Sequence, residues 1–335
     1  MEIDINKKFL LVGAGAIGPV YGWRLKQGGS SVSVVCRSNY EVVKNSGFQI
    51  DSTFYGAGSF IPDVVYSSCK QAANESPEEF DYVLVCTKNL PNISNPANTI
   101  KDVVVSEKVT IVLIQNGIGI EKYYRQLFPN NRVITSIAHI FAKQVETGII
   151  NNVGQASLIF NVFKDTNESG FSQQDIEICD SLRECLLAGN VLATISDNIQ
   201  RERWIKIVWN ISISPVSVLT SASNTREMLD CPETRALLIE SMHEAIKVGE
   251  AVLNTSLTTD IPSEQLPQQI IDKVDNLPKP FYPSMMIDMQ NSRPMEHQVI
   301  VKNVIDYANK FNIKVPVLQT MYSLMILMEK KYLRL

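Results

Sequence analysis

A chain of 335 residues is long enough for two domains of ordinary size, and 45% hydrophobic with 20% charged residues is the make-up of a globular protein with material for two cores. A net charge of −4 leaves no basic surplus to neutralise phosphates, which argues against a nucleic-acid binder. There is no apolar run of the roughly 18 residues that a membrane-spanning helix needs, and the opening residues carry no apolar signal core, so the cytosol is the expected compartment.

The first half alternates short apolar runs with helical stretches. Phe9–Val12 reads as a buried strand, followed by a helix from about Ile17 to Lys26 and a second strand over Ser31–Val35. Further strands are predicted at Tyr82–Val85, Thr110–Ile114 and Arg132–Ile137. Continuous apolar strands separated by helices predict a parallel sheet buried on both faces, the doubly wound α/β architecture. Gly148–Ile150 and Ala156–Phe160 read as a hairpin-like pair around Asn151–Gly154 that extends the sheet at one edge.

Beyond about residue 197 strand signals end and helical periodicity takes over, as in Thr234–Leu253 and Glu296–Phe311. Pro262, Pro267, Pro278, Pro280 and Pro283 predict a loop-rich segment between those helices. The expected organisation is a Rossmann-type dinucleotide-binding domain over residues 1–195 and an all-α domain over 196–335 that carries the substrate and catalytic residues.

Cys36, Cys69, Cys86, Cys179, Cys185 and Cys231 form no CxxC pair and are far in sequence from His139, His243 and His297, so no metal site is predicted and the thiols are expected to be reduced.

Gly13-Ala14-Gly15-Ala16-Ile17-Gly18 is a GxGxxG turn that follows the first strand and opens the first helix. In that context Gly13 permits the tight turn, Gly15 the close approach of a pyrophosphate and Gly18 close packing of helix on strand, while the helix N-terminus faces the phosphates. An NAD site places Asp or Glu after the second strand, to accept from the ribose 2′-hydroxyl. This chain has Cys36-Arg37-Ser38-Asn39 there, and the planar guanidinium of Arg37 suits a 2′-phosphate, so the expected cofactor is NADPH. The plain alternative for Arg37 is a solvated surface arginine.

Four places along the chain share a further pattern: the glycine turn with Arg37; Val85-Cys86-Thr87-Lys88; Leu113-Ile114-Gln115-Asn116-Gly117-Ile118-Gly119; and, in the helical half, Trp204–Asn210 with Ser214-Pro215 and Ser284 through Asp288 to Arg293-Pro294-Met295-Glu296. In these the chain resembles the ketopantoate reductase (2-dehydropantoate 2-reductase) family over nearly its whole length. The resemblance implies that Lys206 is the catalytic lysine and that Glu296 pairs with the substrate or with that lysine. It implies substrate binding by Asn210, Asn224 and Ser284, with Ser214 in the pocket, and a cofactor region lined by Lys88 and Asn116. Ser214 stands where the family usually has asparagine, and Met295 where threonine is frequent, which leaves the identity of the substrate open.

Elementary chemistry points to the same residues. Hydride reduction of a ketone leaves an alkoxide that needs a proton donor and a nearby positive charge. A lysine on an otherwise apolar helix, with Asn210 one turn on, is such a donor, and burial would lower its pKa toward a useful range. The plainer readings are a surface lysine for Lys206, a dipole-favoured glutamate in a first turn after Pro294 for Glu296, and a turn residue for Asn116. The expected partner is a small 2-oxo acid, with neither nucleic acid nor membrane, and a homodimer is left open. The alternatives are a paralogous reductase of another ketone or 2-oxo acid, and a non-catalytic NADPH sensor.

Overall fold

The computed structural model describes residues 4–76, 80–165, 170–277 and 279–334. The chain forms two compact units. The first comprises the residues up to Lys88, Asn95–Gln115 and Ile120–Ile199; the second comprises Asn89–Ser94, Asn116–Gly119 and the chain from Gln200 onward.

The first unit is built on one sheet. Its strands are β1 (Lys8–Val12), β2 (Ser31–Val35), β3 (Phe48–Ser52), β4 (Gly56–Phe60), β5 (Val65–Tyr66), β6 (Tyr82–Val85), β7 (Thr110–Leu113), β8 (Val133–Glu146), β9 (Ile149–Val162) and β10 (Leu192–Ile195). They lie in the order β4-β3-β9-β8-β7-β6-β1-β2-β5, with β10 also on β9. Strands β5, β2, β1, β6, β7 and β8 run parallel to one another. That is the 3-2-1-4-5-6 order of a doubly wound dinucleotide-binding sheet, with its switch point between β1 and β6. Every residue of β6 and β7 is buried, as a sheet covered on both faces requires, and the Phe9 ring stacks on Tyr82 at 4.9 Å. Helices α1 (Ile17–Gln27), α2 (Tyr40–Ser46), α3 (Cys69–Glu75), α4 (Glu121–Leu127) and α5 (Gln173–Ala188) belong to this unit. A Ser172–Asp175 capping box starts α5, and Asp175 is held by Lys164 at 2.8 Å and Arg132 at 3.1 Å.

The parallel core lies where the apolar runs predict it. The later strands differ. β9 is one continuous strand antiparallel to β8, and the chain reverses at Thr147-Gly148, with Gly148 at φ +80°. Asn151–Gly154, read as a turn, lies inside β9: the pairing jumps from His139↔Ser157 to Phe141↔Val153, and Gly154 (φ +75°) takes the irregular position. β9 also pairs with β3 and β10, and this two-sided pairing keeps it extended across its polar residues.

The second unit is helical: α6 (Ile199–Leu219, whose first residue is Ile199 of the first unit), α7 (Thr225–Asp230), α8 (Pro232–Leu253), α9 (Leu266–Asp275) and α10 (Ser284–Gln290) precede a wide π-type turn at Gln298–Lys302, which runs into α11 (Asn303–Lys310), and α12 (Pro316–Leu333) closes the chain. Trp204 is buried in α6 against Gly249 of α8, where a Cβ would stand 2.8 Å from the indole. Glu244 of α8 caps α12, accepting from the backbone N–H of Val317 (3.0 Å) and Leu318 (2.9 Å). The proline-rich segment contains a helix: Pro267 sits in the first turn of α9, where its missing N–H costs nothing. Pro278 lies outside the described residues. Among the described residues no helix is long and apolar enough to cross a membrane.

Candidate active site

The glycine turn joins β1 to α1 at the switch point. Gly13 has φ +106°, and a Cβ there would stand 2.5 Å from the Thr87 nitrogen at the end of β6, so both the backbone conformation and the close approach demand glycine. A Cβ on Gly18 would stand 2.6 Å from the Gly13 carbonyl oxygen, whereas one on Gly15 would meet nothing of the chain within 4 Å. The surface over Gly15 is therefore open. The N-cap Ala16 offers no side chain to the first turn of α1, which also has no acidic residue, so the dipole end and its N–H groups are available to an anion. These are the features a dinucleotide pyrophosphate needs, and the residues present fit such a group.

Two polar side chains fix the turn, and the sequence reading did not assign either role. Asn39, buried after β2, donates from Nδ2 to the Ala14 carbonyl oxygen at 2.8 Å. Gln115 donates to the Thr87 carbonyl oxygen at 2.7 Å and accepts from the Tyr124 hydroxyl at 3.2 Å, which steadies the end of β6. Arg37 and Ser38 are exposed beside Asn39, and Lys88 is exposed after β6. Burial pushes the Cys36 thiol up to about 12, as expected of a packing cysteine.

The other cluster belongs to the second unit. Arg203, Lys206, Asn210 and Ser214 follow one another along α6 at three- and four-residue spacing, which puts them on one stripe of the helix. Arg203 is buried at 2% exposure and donates from Nη1 to the Gly117 carbonyl oxygen at 3.0 Å. Lys206 is partly buried, and its ammonium is pushed down to about 8. Burial is the largest cause, repulsion from Arg203 adds to it, and the Glu296 carboxylate opposes both. Glu296 is 8% exposed and accepts from the Asn89 backbone N–H at 2.9 Å.

Asn89–Ser94 and Asn116–Gly119 are tied into this unit. Ile118 N–H donates to the Val299 carbonyl oxygen at 2.8 Å, Asn303 donates to the Ile118 carbonyl oxygen at 2.7 Å, and Gly117, at φ +108°, lies so close to Val299 that a Cβ would stand 2.5 Å away. Asn116 is partly buried in this stretch.

The remaining predicted residues are placed as follows. Ser214 is buried directly before Pro215, which interrupts the α6 hydrogen-bond ladder because it has no N–H. Asn224 is the N-cap of α7, its Oδ1 accepting from Arg226 and Glu227 N–H at 2.9 and 3.2 Å, in a capping box completed by Glu227. Its carbonyl oxygen is therefore committed to the helix. Ser284 is exposed in the first turn of α10. Thr225 and Phe281 exchange hydrogen bonds, which brings the chain before Ser284 to the start of α7, and the Phe281 ring lies 6.2 Å from Trp209, the neighbour of Asn210.

The Glu296 carboxylate thus acts on the Lys206 ammonium through its charge, with Asn210 and Ser214 on the lysine's own stripe. Arg203 was missed by the sequence reading, although its spacing from Lys206 was visible; the Asn89 backbone N–H leaves no trace in a sequence.

A parallel sheet in this order with a glycine turn at its switch point defines a dinucleotide-binding fold. The chain matches the model described as ketopantoate reductase PanE/ApbA over residues 9–165 and that of the ketopantoate reductase PanE/ApbA C terminal over residues 198–329. A crystal structure of 2-dehydropantoate 2-reductase from Methylococcus capsulatus is similar at TM-score 0.81 and 30% identity, covering 97% of each chain. A 2-dehydropantoate 2-reductase of a Nostoc species is 26% identical over 321 residues, covering 95% of this chain and 93% of the relative. The meiotically up-regulated gene 72 protein of Schizosaccharomyces pombe is 28% identical over 335 residues, covering 96% of this chain; the match spans 57% of that longer protein. The chain belongs to the ketopantoate reductase family, whose members are NAD(P)-dependent oxidoreductases acting on a CH–OH group. The resemblance read from the sequence is borne out, as is the α/β-plus-helical fold class.

Proposed function

We propose that the protein reduces a 2-oxo acid with NADPH, with 2-dehydropantoate as the substrate and pantoate as the product, in the cytosol and in the service of pantothenate synthesis. The observation that carries this reading is Lys206, a partly buried lysine brought down to about 8 beside Glu296. A donor at that value is mostly protonated at neutral pH and gives up its proton readily, which suits protonation of an alkoxide.

The glycine turn Gly13, Ala14, Gly15, Ala16, Ile17 and Gly18 would hold the pyrophosphate, Arg37 the 2′-phosphate, and Lys88 and Asn116 would serve the rest of the cofactor. When bound, the cofactor supplies a hydride to the substrate's C2. As the carbonyl π pair moves onto oxygen, Lys206 Nζ delivers a proton to it, and the C2 ketone becomes a secondary alcohol. The Lys206 and Arg203 charges stabilise the developing alkoxide and suit an anionic substrate. Asn210 and Ser284 would bind the substrate's carboxylate or hydroxyl, and Asn224, its oxygen occupied by the cap, could contribute only its NH₂. Glu296 orients Lys206 and keeps it charged.

The test is NADPH consumption over a panel of 2-oxo acids, with the product identified. Highest kcat/KM with 2-dehydropantoate supports the reading. One observation favours a second substrate: buried Ser214 supplies no amide where the family usually has asparagine. A higher kcat/KM for a different 2-oxo acid would establish that alternative.

A further inference from the structure

Glu296 lies in a stretch, Met295-Glu296, that belongs to no helix or strand, and Ile300 N–H, in the turn that follows, donates to the Glu296 carbonyl oxygen at 3.1 Å. A carboxylate that must face a lysine needs its neighbours in the chain held in place. The support comes from α12. Glu329, 6% exposed, accepts the Met295 backbone N–H on Oε1 at 2.7 Å and the His297 ring on Oε2 at 2.9 Å from Nε2. One carboxylate therefore grips both neighbours of Glu296. Tyr322, two turns earlier on the same face of α12, sets its ring edge-on to His297 at a centroid distance of 5.8 Å. His297 is 3% exposed, and its Nε2 also lies 3.5 Å from Asn92, in the same loop whose Asn89 N–H bonds Glu296.

Burial works to raise the Glu329 carboxyl, but the hydrogen bonds from His297 and Met295 outweigh it and hold the group below its usual range. A buried carboxylate with both oxygens engaged keeps its geometry, because breaking either bond strands a charge away from water.

We propose that Glu329, acting through His297 and the Met295 backbone, is a positioning residue for Glu296. It touches neither substrate nor cofactor. The proposal rests on the reading above for the role of Glu296, but its consequence for the protein is independent of turnover: when the grip is lost, the Glu296 carboxylate should leave the Asn89 N–H.

The experiment compares E329L, which keeps bulk but loses both acceptors, with E329Q. Glutamine can still accept from Met295 through its oxygen and donate to His297 in the other ring tautomer. Amide hydrogen exchange at Asn89 is followed by NMR. It should quicken about tenfold or more in E329L, the loss expected for a charged hydrogen bond, and stay within about threefold of the parent in E329Q. Amides in the middle of α8 should be unchanged in both, and the KM for the 2-oxo acid should rise in E329L while NADPH affinity holds. Where E329L does not fold, H297A gives the same readout through loss of one of the two bonds.

An unchanged Asn89 amide in the folded variant would overturn the proposal, as would equal acceleration throughout α8, which marks general loosening. If Asn89 responds as expected while the parent protein turns over no 2-oxo acid, the positioning stands and the catalytic reading falls.

Discussion

Replacing Lys206 with methionine separates catalysis from stability. Methionine keeps much of the lysine stem and removes the charge. A positioned general acid contributes about 10²–10⁴-fold, so kcat should fall by that order while NADPH binding is retained, since the glycine turn belongs to the other unit. The pH dependence follows from the same value. The donor must be protonated, so the parent kcat/KM should be flat below pH 7 and fall through about 8, with about a tenfold loss between pH 7 and pH 9; the variant should lack this limb.

Stability should move the other way. With the folded value below the unfolded 10.5, the unfolded chain binds the proton more tightly, so the charged lysine costs stability below pH 8, and this cost fades as pH rises toward 10.5. At about 1.4 kcal/mol per factor of ten the full cost is about 3 kcal/mol, and solvent screening of a partly exposed group brings it to about 1–3 kcal/mol. K206M should therefore be more stable than the parent in urea at pH 7 and lose that advantage by pH 10. Near-parental kcat in K206M, or a limb near pH 8 that survives the substitution, would refute the assignment of Lys206 as donor.

Arg37→Ala should raise the KM for NADPH about 10- to 100-fold, the range for loss of charge-assisted hydrogen bonds, and leave that for NADH almost unchanged; steady-state kinetics with both cofactors decide this. Ser214→Asn should raise kcat/KM for 2-dehydropantoate if the parent pocket serves another 2-oxo acid, and lower it if the pocket already fits 2-dehydropantoate. In Asp175, burial works to raise the carboxyl, but Lys164 and Ser172 bring it down to about 2, so its contribution of about 2 kcal/mol is present above pH 4 and lost as pH falls through 2. Urea unfolding of Asp175→Asn should therefore show its deficit at pH 6 and little of it at pH 2.

The parallel core could be read from the sequence because β1, β6 and β7 are short apolar runs, the signature of strands buried on both faces, and β2 alternates valine with serine as a half-buried strand does. The β3–β4 hairpin could not: Gly56-Ala57-Gly58 carries no β signal, and it is held by pairing with β9 and by close approach to Trp23. The turn inside β9 was misplaced because an Asn-Asn-Val-Gly string has turn chemistry, which tertiary pairing overrides. At the candidate site, the family resemblance pointed to Lys206 and Asn210, and residue type and helical spacing supported that choice. The restraints that set the local geometry came from far along the chain, from Asn39 on Ala14, Asn89 on Glu296 and Glu329 on His297, and contacts of that kind leave no local pattern.

The most direct measurement is the fate of the hydride. The protein is incubated with 2-dehydropantoate and NADPH carrying deuterium at the transferable C4 position of the nicotinamide, and the product is examined by mass spectrometry and NMR. The expected result is pantoate with one deuterium at C2, formed one for one with the NADPH consumed. Unlabelled pantoate, or no NADPH consumption with this or any other 2-oxo acid, would contradict it.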